Sequence, residues 1–438
     1  MRICVPVFWV MTTLKEMNIV TVELRQNYNK VLENLAAELD ISPSKYQQAV
    51  QRYTSVGNWI ADGEYDGVQG ELHIYTQGSF RLGTVVRPLK EGAESDYDID
   101  LVCEIPLKKS STTPASLKKS IGERIKENAM YQKMLDKEKK RCWTLNYAEQ
   151  DGIGFHLDIL PSVPESVDLI ADLIGQGIPG DIAKKSISIT NRERENVYSW
   201  SSSNPNGYAE WFETIKRPVF EKMKIVQKQY IFENNKAIFN QIDEVPDQLV
   251  KTPLQRAIQI LKRHRDVRFA GHEWEADKPI SMIITTLSAR AYQHEMDLYS
   301  TIKNIVEKLS TLEQLLNPGI KFSGDISMLQ LINRNKDGYW IIPNPVNPAE
   351  NFADRWHENG SRKAKAFFQW ITWVKEDLVD ILQLSDVGKI TKTLEQRFGD
   401  RIVSKATQGV WLSMSEIAAA NAGIPHIDID NPSKPWSY

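Results

Sequence analysis

The sequence predicts an α+β protein of two lobes, in which a mixed β-sheet with helices comes first and a helical lobe follows. Three observations lead to this prediction. The chain has 438 residues, which is more than a single hydrophobic core usually accommodates. Residues 72–160 contain several short segments in which acid or polar residues alternate with apolar ones, the period of half-buried strands. Residues 208–422 carry mainly the three- and four-residue apolar spacing of helices.

The first lobe is predicted to begin with helices and to continue into a sheet. Residues 22–62 have helical spacing, and Ser42 with Pro43 provides a cap and a first turn for a second helix. Turns are expected at Gln77–Ser79 and at Gln150–Gly152. Strands are predicted at 72–76, 97–105, 141–148 and 153–160, and helices at 80–85 and 115–135. This order of elements indicates a mixed α and β lobe.

The second lobe is predicted to be a helical bundle. The cluster Ser201–Gly207 is rich in Ser, Asn, Pro and Gly, as linkers are. Helices are predicted after it at 208–216, 218–232, 253–268, 279–293, 298–316, 364–384 and 413–422. The domain division expected from this pattern is an N-terminal extension at 1–20, with Met11 or Met17 as an alternative start, then a helix and sheet core at 21–205 and a helical domain at 206–438.

Composition excludes several classes of protein. Hydrophobic residues make up 41% of the chain and charged residues 25%, which is ordinary for a soluble globular protein. The net charge of −3 provides no overall basic field that would draw the chain onto long nucleic acid. The three cysteines are scattered, so neither a disulfide framework nor a structural zinc site is expected, and a reducing cytoplasm fits best. No apolar run approaches the length of a membrane span, and the short apolar N-terminus lacks a signal-peptide cleavage site.

Two carboxylates in the predicted strand at 97–105 are the first candidates for chemistry. Asp98 and Asp100 are two residues apart, so they project from the same face of the strand while Ile99 and Leu101 face the core. Adjacent carboxylates repel each other unless a positive charge lies between them. Oxygen ligands of this kind suit Mg²⁺ or Mn²⁺. The pair therefore predicts a divalent metal site.

Asp158 is the third candidate, within the apolar strand pattern at 153–160. If the two strands are neighbours, Asp98, Asp100 and Asp158 converge. Three such carboxylates can hold two metal ions roughly 3.5–4 Å apart, one lowering the pKa of an attacking hydroxyl and the other neutralising a departing pyrophosphate. Asp158 is then the candidate to accept the proton of the hydroxyl.

Gly78 and Ser79 complete the pattern as a candidate phosphate cradle. Glycine permits close approach of the backbone to a phosphate, and a helix start favours an anion. Each signal is weak alone, because an Asp-x-Asp pair is more often a solvated strand face and a Gly-Ser turn is common. Together and in this order they favour a functional site. Asp96 shares the face of Asp98, but capping of a turn is an equal alternative for it.

The Gly-Ser, Asp-x-Asp and Asp pattern resembles the polymerase-β-like nucleotidyltransferase superfamily. Within it, the chain is similar to the bacterial cyclic GMP-AMP synthase and dinucleotide-cyclase-like enzymes, the CD-NTases. The resemblance extends over roughly residues 20 to 400 and includes four further motifs: Asn204–Phe212, Leu261–Asp266, Lys278–Ser281 and Asn344–Phe352.

The resemblance implies a bilobal polymerase-β-like enzyme in which the helical domain completes a nucleotide cleft. It implies two Mg²⁺ ions, with Mn²⁺ as an alternative, and nucleoside triphosphate substrates, ATP and GTP. The implied product is a cyclic di- or trinucleotide, released with pyrophosphate, that activates a separate effector in anti-phage signalling. Two alternatives stay open: a template-independent transferase that makes linear products, and an inactive nucleotide-binding module.

Single residues also receive roles from the resemblance. Gln77 and Ser79, beside Gly78, match positions that contact the donor nucleotide, and Lys262 and Ser281 match residues at the triphosphate. From the residues alone, Lys262 is a surface lysine and Ser281 a helix cap. The neighbours of Lys262, from Arg263 to Arg268, are either a solvated cationic face or a triphosphate lining.

Two further expectations concern the surroundings of the site. Asn351 and Asp354 are expected near a base or a metal-side loop. The chain has no Cys/His zinc ribbon and no overall basic charge, so activation by double-stranded DNA is not expected. Control by partner proteins, or basal activity, is expected instead.

Overall fold

A computed structural model of the chain describes residues 7–87, 89–90, 93–94, 96–147, 154–317, 319 and 322–411, with the backbone alone at 7–21 and 89–94. Contacts divide the chain into two compact units, Leu39–Val379 and a second formed by Met1–Glu38 with Asp380–Tyr438. Among the described helices, we find none that combines the length and the apolar character needed to cross a membrane.

The described part of the chain contains the following helices and strands, several of which were not predicted. The helices are α1 Val7–Leu39, α2 Pro43–Ala61, α3 Gly78–Leu82, α4 Pro114–Glu127, α5 Ala129–Met134, α6 Val167–Gly175, α7 Gly180–Ala183, α8 Pro205–Asn234, α9 Pro253–Phe269, α10 Ser281–Ala291, α11 Leu298–Thr311, α12 Glu358–Val374, α13 Val387–Phe398 and α14 Asp400–Thr407. The strands are β1 His73–Gln77, β2 Leu89–Lys90, β3 Ala93–Glu94, β4 Tyr97–Glu104, β5 Trp143–Tyr147, β6 Phe155–Pro164, β7 Ile187–Arg194, β8 Val197–Ser203, β9 Asn333–Arg334, β10 Trp340–Ile341, β11 Pro343–Asn344 and β12 Asn347–Asn351.

The main sheet is mixed, as predicted. Its strand order is β1-β4-β6-β7-β8, and β5 also pairs with β6. The β4 and β6 strands are parallel, whereas the other neighbours are antiparallel. One edge of β6 pairs with β4, while its other edge pairs first with β5 and then, at its last residues, with β7. The predicted α+β class is confirmed.

The alternation predicted for the carboxylate strands is also confirmed. Ile99 and Leu101 of β4 are each 1% exposed, and Leu157 and Ile159 of β6 are fully buried. These four side chains belong to one hydrophobic cluster, which includes residues of α2 and α4. The intervening aspartates therefore lie on the opposite face of the sheet from this core.

The predicted linker at Ser201–Gly207 is wrong. Ser201–Ser203 end strand β8, and α8 begins at Pro205. Asn204 caps that helix, because its side-chain oxygen accepts a hydrogen bond from the Gly207 amide at 2.9 Å. The composition that favours a linker is here a strand end followed directly by a capped helix.

Two predicted helix boundaries also differ in the structure. A single helix, α8, continues through Pro218, where a break between two helices was predicted; proline removes one helical hydrogen bond, but the flanking residues Val219 and Phe220 are buried. The predicted helix at 115–135 is divided at Asn128, whose side chain accepts hydrogen bonds from the amides of Met130 and Tyr131.

The second compact unit joins the two ends of the chain. In it, the Asn34 amide donates to the Ala406 carbonyl at 2.9 Å, and Lys405 pairs with Glu38 at 3.0 Å. The predicted domain division, at 20/21 and 205/206, differs from the division into compact units at 38/39 and 379/380, and it stays a prediction. The turn at Gln150–Gly152 and the helix at 413–422 lie outside the described residues.

Candidate active site

Strands β4 and β6 bring two of the predicted aspartates together. The strands are parallel neighbours, and Asp100 is the register partner of Asp158. Asp98 lies opposite His156, two register positions along the same two strands. Neighbouring strands lie about 4.8 Å apart. The condition on which the predicted site depended, adjacency of these strands, is therefore met.

The junction of β1 and α3 lies directly beside Asp100, and it replaces the turn predicted at Gln77–Ser79. Gln77 ends β1 and is the register partner of Asp100 across the β1 and β4 pair. Gly78 follows with φ of +64°, and a Cβ atom added there would lie 2.4 Å from Asp100 Oδ2. Glycine is required at this position for both reasons, since other residues disfavour this backbone region and no side chain fits against the carboxylate.

Asp100 lies in an environment that disfavours its negative charge. Its pKa is raised to about 7, chiefly by burial and then by the carboxylates of Asp158 and Asp98, while Lys262 acts in the opposite direction. Burial also raises the pKa of the neighbouring Cys142 thiol to about 12, with Asp158 as a second cause. Negative charge at this site therefore lacks compensation from the surrounding side chains.

The two outer carboxylates have protein partners in the structure. His156 lies between Asp96 and Asp98, with Nε2 at 3.3 Å from Asp96 Oδ2 and Nδ1 at 3.5 Å from Asp98 Oδ1. Asp158 accepts a hydrogen bond from the Thr144 hydroxyl and lies 3.7 Å from Lys139 Nζ. Asp96 also accepts a hydrogen bond from the Gly154 amide at 2.7 Å, which is the turn-capping role considered for it.

The carboxylates fit a divalent cation by chemistry. The candidate ligands are all oxygen atoms, which Mg²⁺ and Mn²⁺ prefer, and the raised pKa of Asp100 reflects uncompensated negative charge that a cation would neutralise. In the part of the chain that the structure describes, no three His, Cys, Asp or Glu side chains lie close enough together to hold one ion. Asp98 contacts His156, and Asp158 contacts Thr144.

A cavity of about 400 Å³ opens beside these residues, and we call it the carboxylate cavity. Four of the predicted site residues line it: Gln77, Gly78, Asp100 and Asp158. The remaining wall comes from residues that the sequence reasoning did not single out individually, among them Arg141, Cys142, Leu160, Ile189, Tyr208, Met282, Asn344, Glu350 and Phe352. Several of these residues belong to the motifs at 204–212 and 344–352, so the resemblance of these motifs to the CD-NTases was the feature of the sequence that could have identified them.

Lys262 does not line the carboxylate cavity in this structure. It is 6% exposed, and its ammonium donates to the carbonyl and the hydroxyl oxygens of Thr84, each at 3.1 Å. Its pKa is lowered to about 7, chiefly by burial and then by Arg265, whereas Asp266 and Asp100 act in the opposite direction. The interpretation of Lys262 as a surface lysine is therefore wrong, and contact with a triphosphate stays a prediction.

The two predicted serines also lie outside the lining of the cavity. Ser79 belongs to α3, where its carbonyl accepts a hydrogen bond from the Thr84 amide at 2.9 Å. Ser281 is the first residue of α10 rather than its cap, and its hydroxyl accepts a hydrogen bond from Arg265 at 3.1 Å. The capping role considered for Ser281 is therefore wrong.

The cations that follow Lys262 on α9 are buried and engaged with protein groups. Arg263 donates to the Arg87 carbonyl at 2.5 Å, and His264 contacts Asp377 at 2.9 Å. Arg265 donates to the Pro279 carbonyl at 3.0 Å. The solvated cationic face considered for these residues is therefore wrong.

Asn351 and Asp354 do not line the carboxylate cavity. The Asn351 side chain accepts hydrogen bonds from the amides of Ile342 and Ala353 and donates to the Trp340 carbonyl, so it fixes the local backbone. Asp354 is exposed. Their neighbour Glu350 lines the cavity instead.

Comparison with known proteins agrees with this geometry. Residues 72–161, which hold all three aspartates, match the model of the nucleotidyltransferase domain of DncV-like cyclic GMP-AMP synthases. A c-di-GMP synthase from Roseivirga ehrenbergii is 26% identical over 392 residues, covering 89% of each chain. The cyclic dinucleotide synthase CdnG from Bradyrhizobium diazoefficiens is 24% identical over 392 residues, covering 86% of this chain and 82% of CdnG.

A solved structure supports the fold. The structure of the CD-NTase CdnG from Bradyrhizobium diazoefficiens in complex with GTP aligns with a TM-score of 0.61 and 20% identity, covering 87% of this chain and 98% of CdnG. The matched domain, the two curated relatives and the shared fold agree with the aspartate arrangement on β4 and β6. Together these similarities support a bacterial CD-NTase.

Proposed function

We propose that the protein links nucleoside triphosphates into a cyclic di- or trinucleotide and releases pyrophosphate, with GTP among its substrates. The observation that carries this proposal is the register pair Asp100 and Asp158, which faces one cavity together with the Gln77–Gly78 turn. The relative named as a c-di-GMP synthase favours cyclic di-GMP as the product, and CdnG, named as a cyclic dinucleotide synthase, favours a dinucleotide.

The proposed reaction is the attack of a ribose hydroxyl on the α-phosphorus of a second nucleotide. The new oxygen–phosphorus bond forms as the bond to pyrophosphate breaks, and a second transfer closes the ring. Asp158 accepts the proton of the attacking hydroxyl. Asp98, Asp100 and Asp158 would hold Mg²⁺ or Mn²⁺, which when bound lowers the pKa of that hydroxyl and neutralises pyrophosphate.

Glu350 is proposed to select guanine. Its Oε2 atom accepts a hydrogen bond from Asn344 Nδ2 at 2.7 Å, and both residues line the carboxylate cavity. A carboxylate accepts two hydrogen bonds from guanine, whose N1–H and amino group are adjacent donors. Adenine presents an acceptor nitrogen beside its amino group, so it leaves a carboxylate poorly paired, which is how a polar pocket rejects the wrong substrate.

A role in anti-phage signalling, in which the product activates a separate effector, belongs to the same proposal. It rests on the resemblance to the CD-NTases. The linear transferase remains the second candidate, because one transfer without ring closure requires the same carboxylates.

The test is incubation of the purified protein with ATP, GTP, CTP and UTP plus Mg²⁺ or Mn²⁺, then phosphatase digestion and mass spectrometry. The proposal predicts a phosphatase-resistant species with the mass of a cyclic di- or trinucleotide that contains guanine. Linear oligonucleotides would favour the transferase. Tight binding of nucleotides without any product would favour the inactive module.

A further inference from the structure

A second cavity, of about 360 Å³, lies among the helices of the Leu39–Val379 unit. Arg290 from α10 and Lys308 from α11 line it, together with Ser327, Met328 and Gln330 from a 3₁₀ segment at Ile326–Gln330. It shares no lining residue with the carboxylate cavity. We call it the Arg290 cavity.

Both charged side chains of the Arg290 cavity are cations that hydrogen-bond to main-chain carbonyls. Arg290 Nη1 donates to the Gln330 carbonyl at 3.2 Å, and Lys308 Nζ donates to the Ala291 carbonyl at 2.6 Å. Within the described part of the chain, neither makes an ion pair with a carboxylate. Burial lowers the pKa of each, which is the signature of a cation removed from water without full compensation.

Glu295, the carboxylate that acts on Lys308, is already engaged by other groups. Glu295 raises the pKa of Lys308 from a distance. Its Oε1 accepts a hydrogen bond from Asn304 Nδ2 at 2.7 Å, and its Oε2 accepts one from the Gln293 amide at 3.0 Å. No Asp or Glu lines the Arg290 cavity among the described residues. Asp325 is not part of the lining, but it accepts hydrogen bonds from the amide and the hydroxyl of Ser327, so what the cavity offers an anion is its two cations.

We propose that the Arg290 cavity binds a small phosphate-bearing anion. A guanidinium and an ammonium that converge on one cavity are the groups that proteins use for phosphate, through short charge-assisted hydrogen bonds. The volume is at the lower end of the range for ligand pockets, which suits phosphate, pyrophosphate or the phosphates of one nucleotide. This inference does not depend on the proposed catalytic function.

The position of Arg290 connects the anion site to the wall of the carboxylate cavity. Arg290 lies near Tyr208, whose pKa burial raises while Thr286 and Arg290 lower it. The Tyr208 hydroxyl shares a hydrogen bond of 2.8 Å with Thr286, one turn before Arg290 on α10. An anion bound to Arg290 would therefore contact α10, the helix whose Thr286 hydrogen-bonds to Tyr208.

The test is equilibrium dialysis of the full-length protein with radiolabelled pyrophosphate in EDTA, so that divalent metal does not recruit the probe to the carboxylates. The proposal predicts saturable binding that Arg290→Gln and Lys308→Gln each weaken about ten- to hundredfold. Lys308→Arg, which keeps the charge, should retain binding. The matched control is Lys303→Gln, because Lys303 lies on the same helix but is exposed and pairs with Glu307.

Equal affinity in wild type, Lys308→Gln and Lys303→Gln would overturn the proposal, and so would the absence of saturable binding by wild type up to about 10 mM pyrophosphate. If Arg290→Gln does not fold, the contrast between Lys308→Gln and Lys308→Arg decides. Competition by unlabelled phosphate against GMP distinguishes a free anion from a nucleotide phosphate, and the Lys308 variants should affect whichever competes.

Discussion

Replacement of Gly78 by alanine places a methyl group directly against the carboxylate of Asp100. The added Cβ would lie 2.4 Å from Asp100 Oδ2, whereas ordinary contacts begin at 3.4 Å. The carboxylate or the turn must therefore move by about 1 Å, a displacement that costs on the order of a hundredfold in rate when it affects reacting groups. The φ of +64° adds backbone strain of about 1–2 kcal/mol for alanine.

The assay for Gly78→Ala combines turnover of GTP with thermal unfolding. Gly177→Ala is the matched control, because Gly177 has φ of +91° and no atom within 4 Å of the added Cβ. Both variants should lose a few degrees of Tm, at roughly 2–4 °C per kcal/mol. Only Gly78→Ala should lose turnover about a hundredfold. If Gly78→Ala keeps turnover within about threefold of wild type, Asp100 does not need its observed position.

Two more predictions concern Glu350 and Glu165. Glu350→Gln should lower kcat/KM for GTP about 10- to 100-fold and reduce the preference for GTP over ITP, which lacks the guanine amino group. The control is Glu358→Gln, a change of the same kind at an exposed residue. An unchanged ratio of kcat/KM for GTP to kcat/KM for ITP would exclude recognition of the base by Glu350. Glu165 follows strand β6 and is 5% exposed; burial raises its pKa, but Lys109 at 2.8 Å, the Ser166 amide and Ser188 outweigh this and lower it below 4.5. Its stabilisation is present above about pH 4.5 and is lost as the pH falls through its folded-state pKa, so Glu165→Gln should cost about 1–3 kcal/mol of unfolding free energy at pH 7 and progressively less in acid. Urea unfolding across pH 3–7 measures this, and a difference that is independent of pH would contradict it.

Local patterns in the sequence were sufficient to predict the carboxylate strands. The alternation of Asp98 and Asp100 with buried Ile99 and Leu101 states which face is buried, and the structure confirms it. The cap at Ser42 was equally predictable, and its hydroxyl accepts a hydrogen bond from the Lys45 amide. In both cases the residues that decide the structure are close together in the chain.

Contacts between distant segments were not predictable in the same way. Lys262 and Thr84 are 178 residues apart, so the burial of this lysine against a carbonyl leaves no local pattern. The hydrogen bond that Ser281 accepts from Arg265, and the place of Glu350 rather than Asn351 at the carboxylate cavity, likewise depend on how separate elements pack. Strand β7 was not predicted, and β8 was missed because its Ser-rich end continues into the cluster Ser201–Gly207, which has the composition of a linker.

The double variant Asp98→Asn with Asp100→Asn tests the central claim most directly, with Glu104→Gln at the other end of the same strand as its control. Each purified protein is incubated with GTP, ATP and Mg²⁺, and the phosphatase-resistant product is measured by mass spectrometry. We predict that the double variant folds but forms no product, while Glu104→Gln forms it as wild type does. Product from the folded double variant would contradict the assignment of these carboxylates to the chemistry.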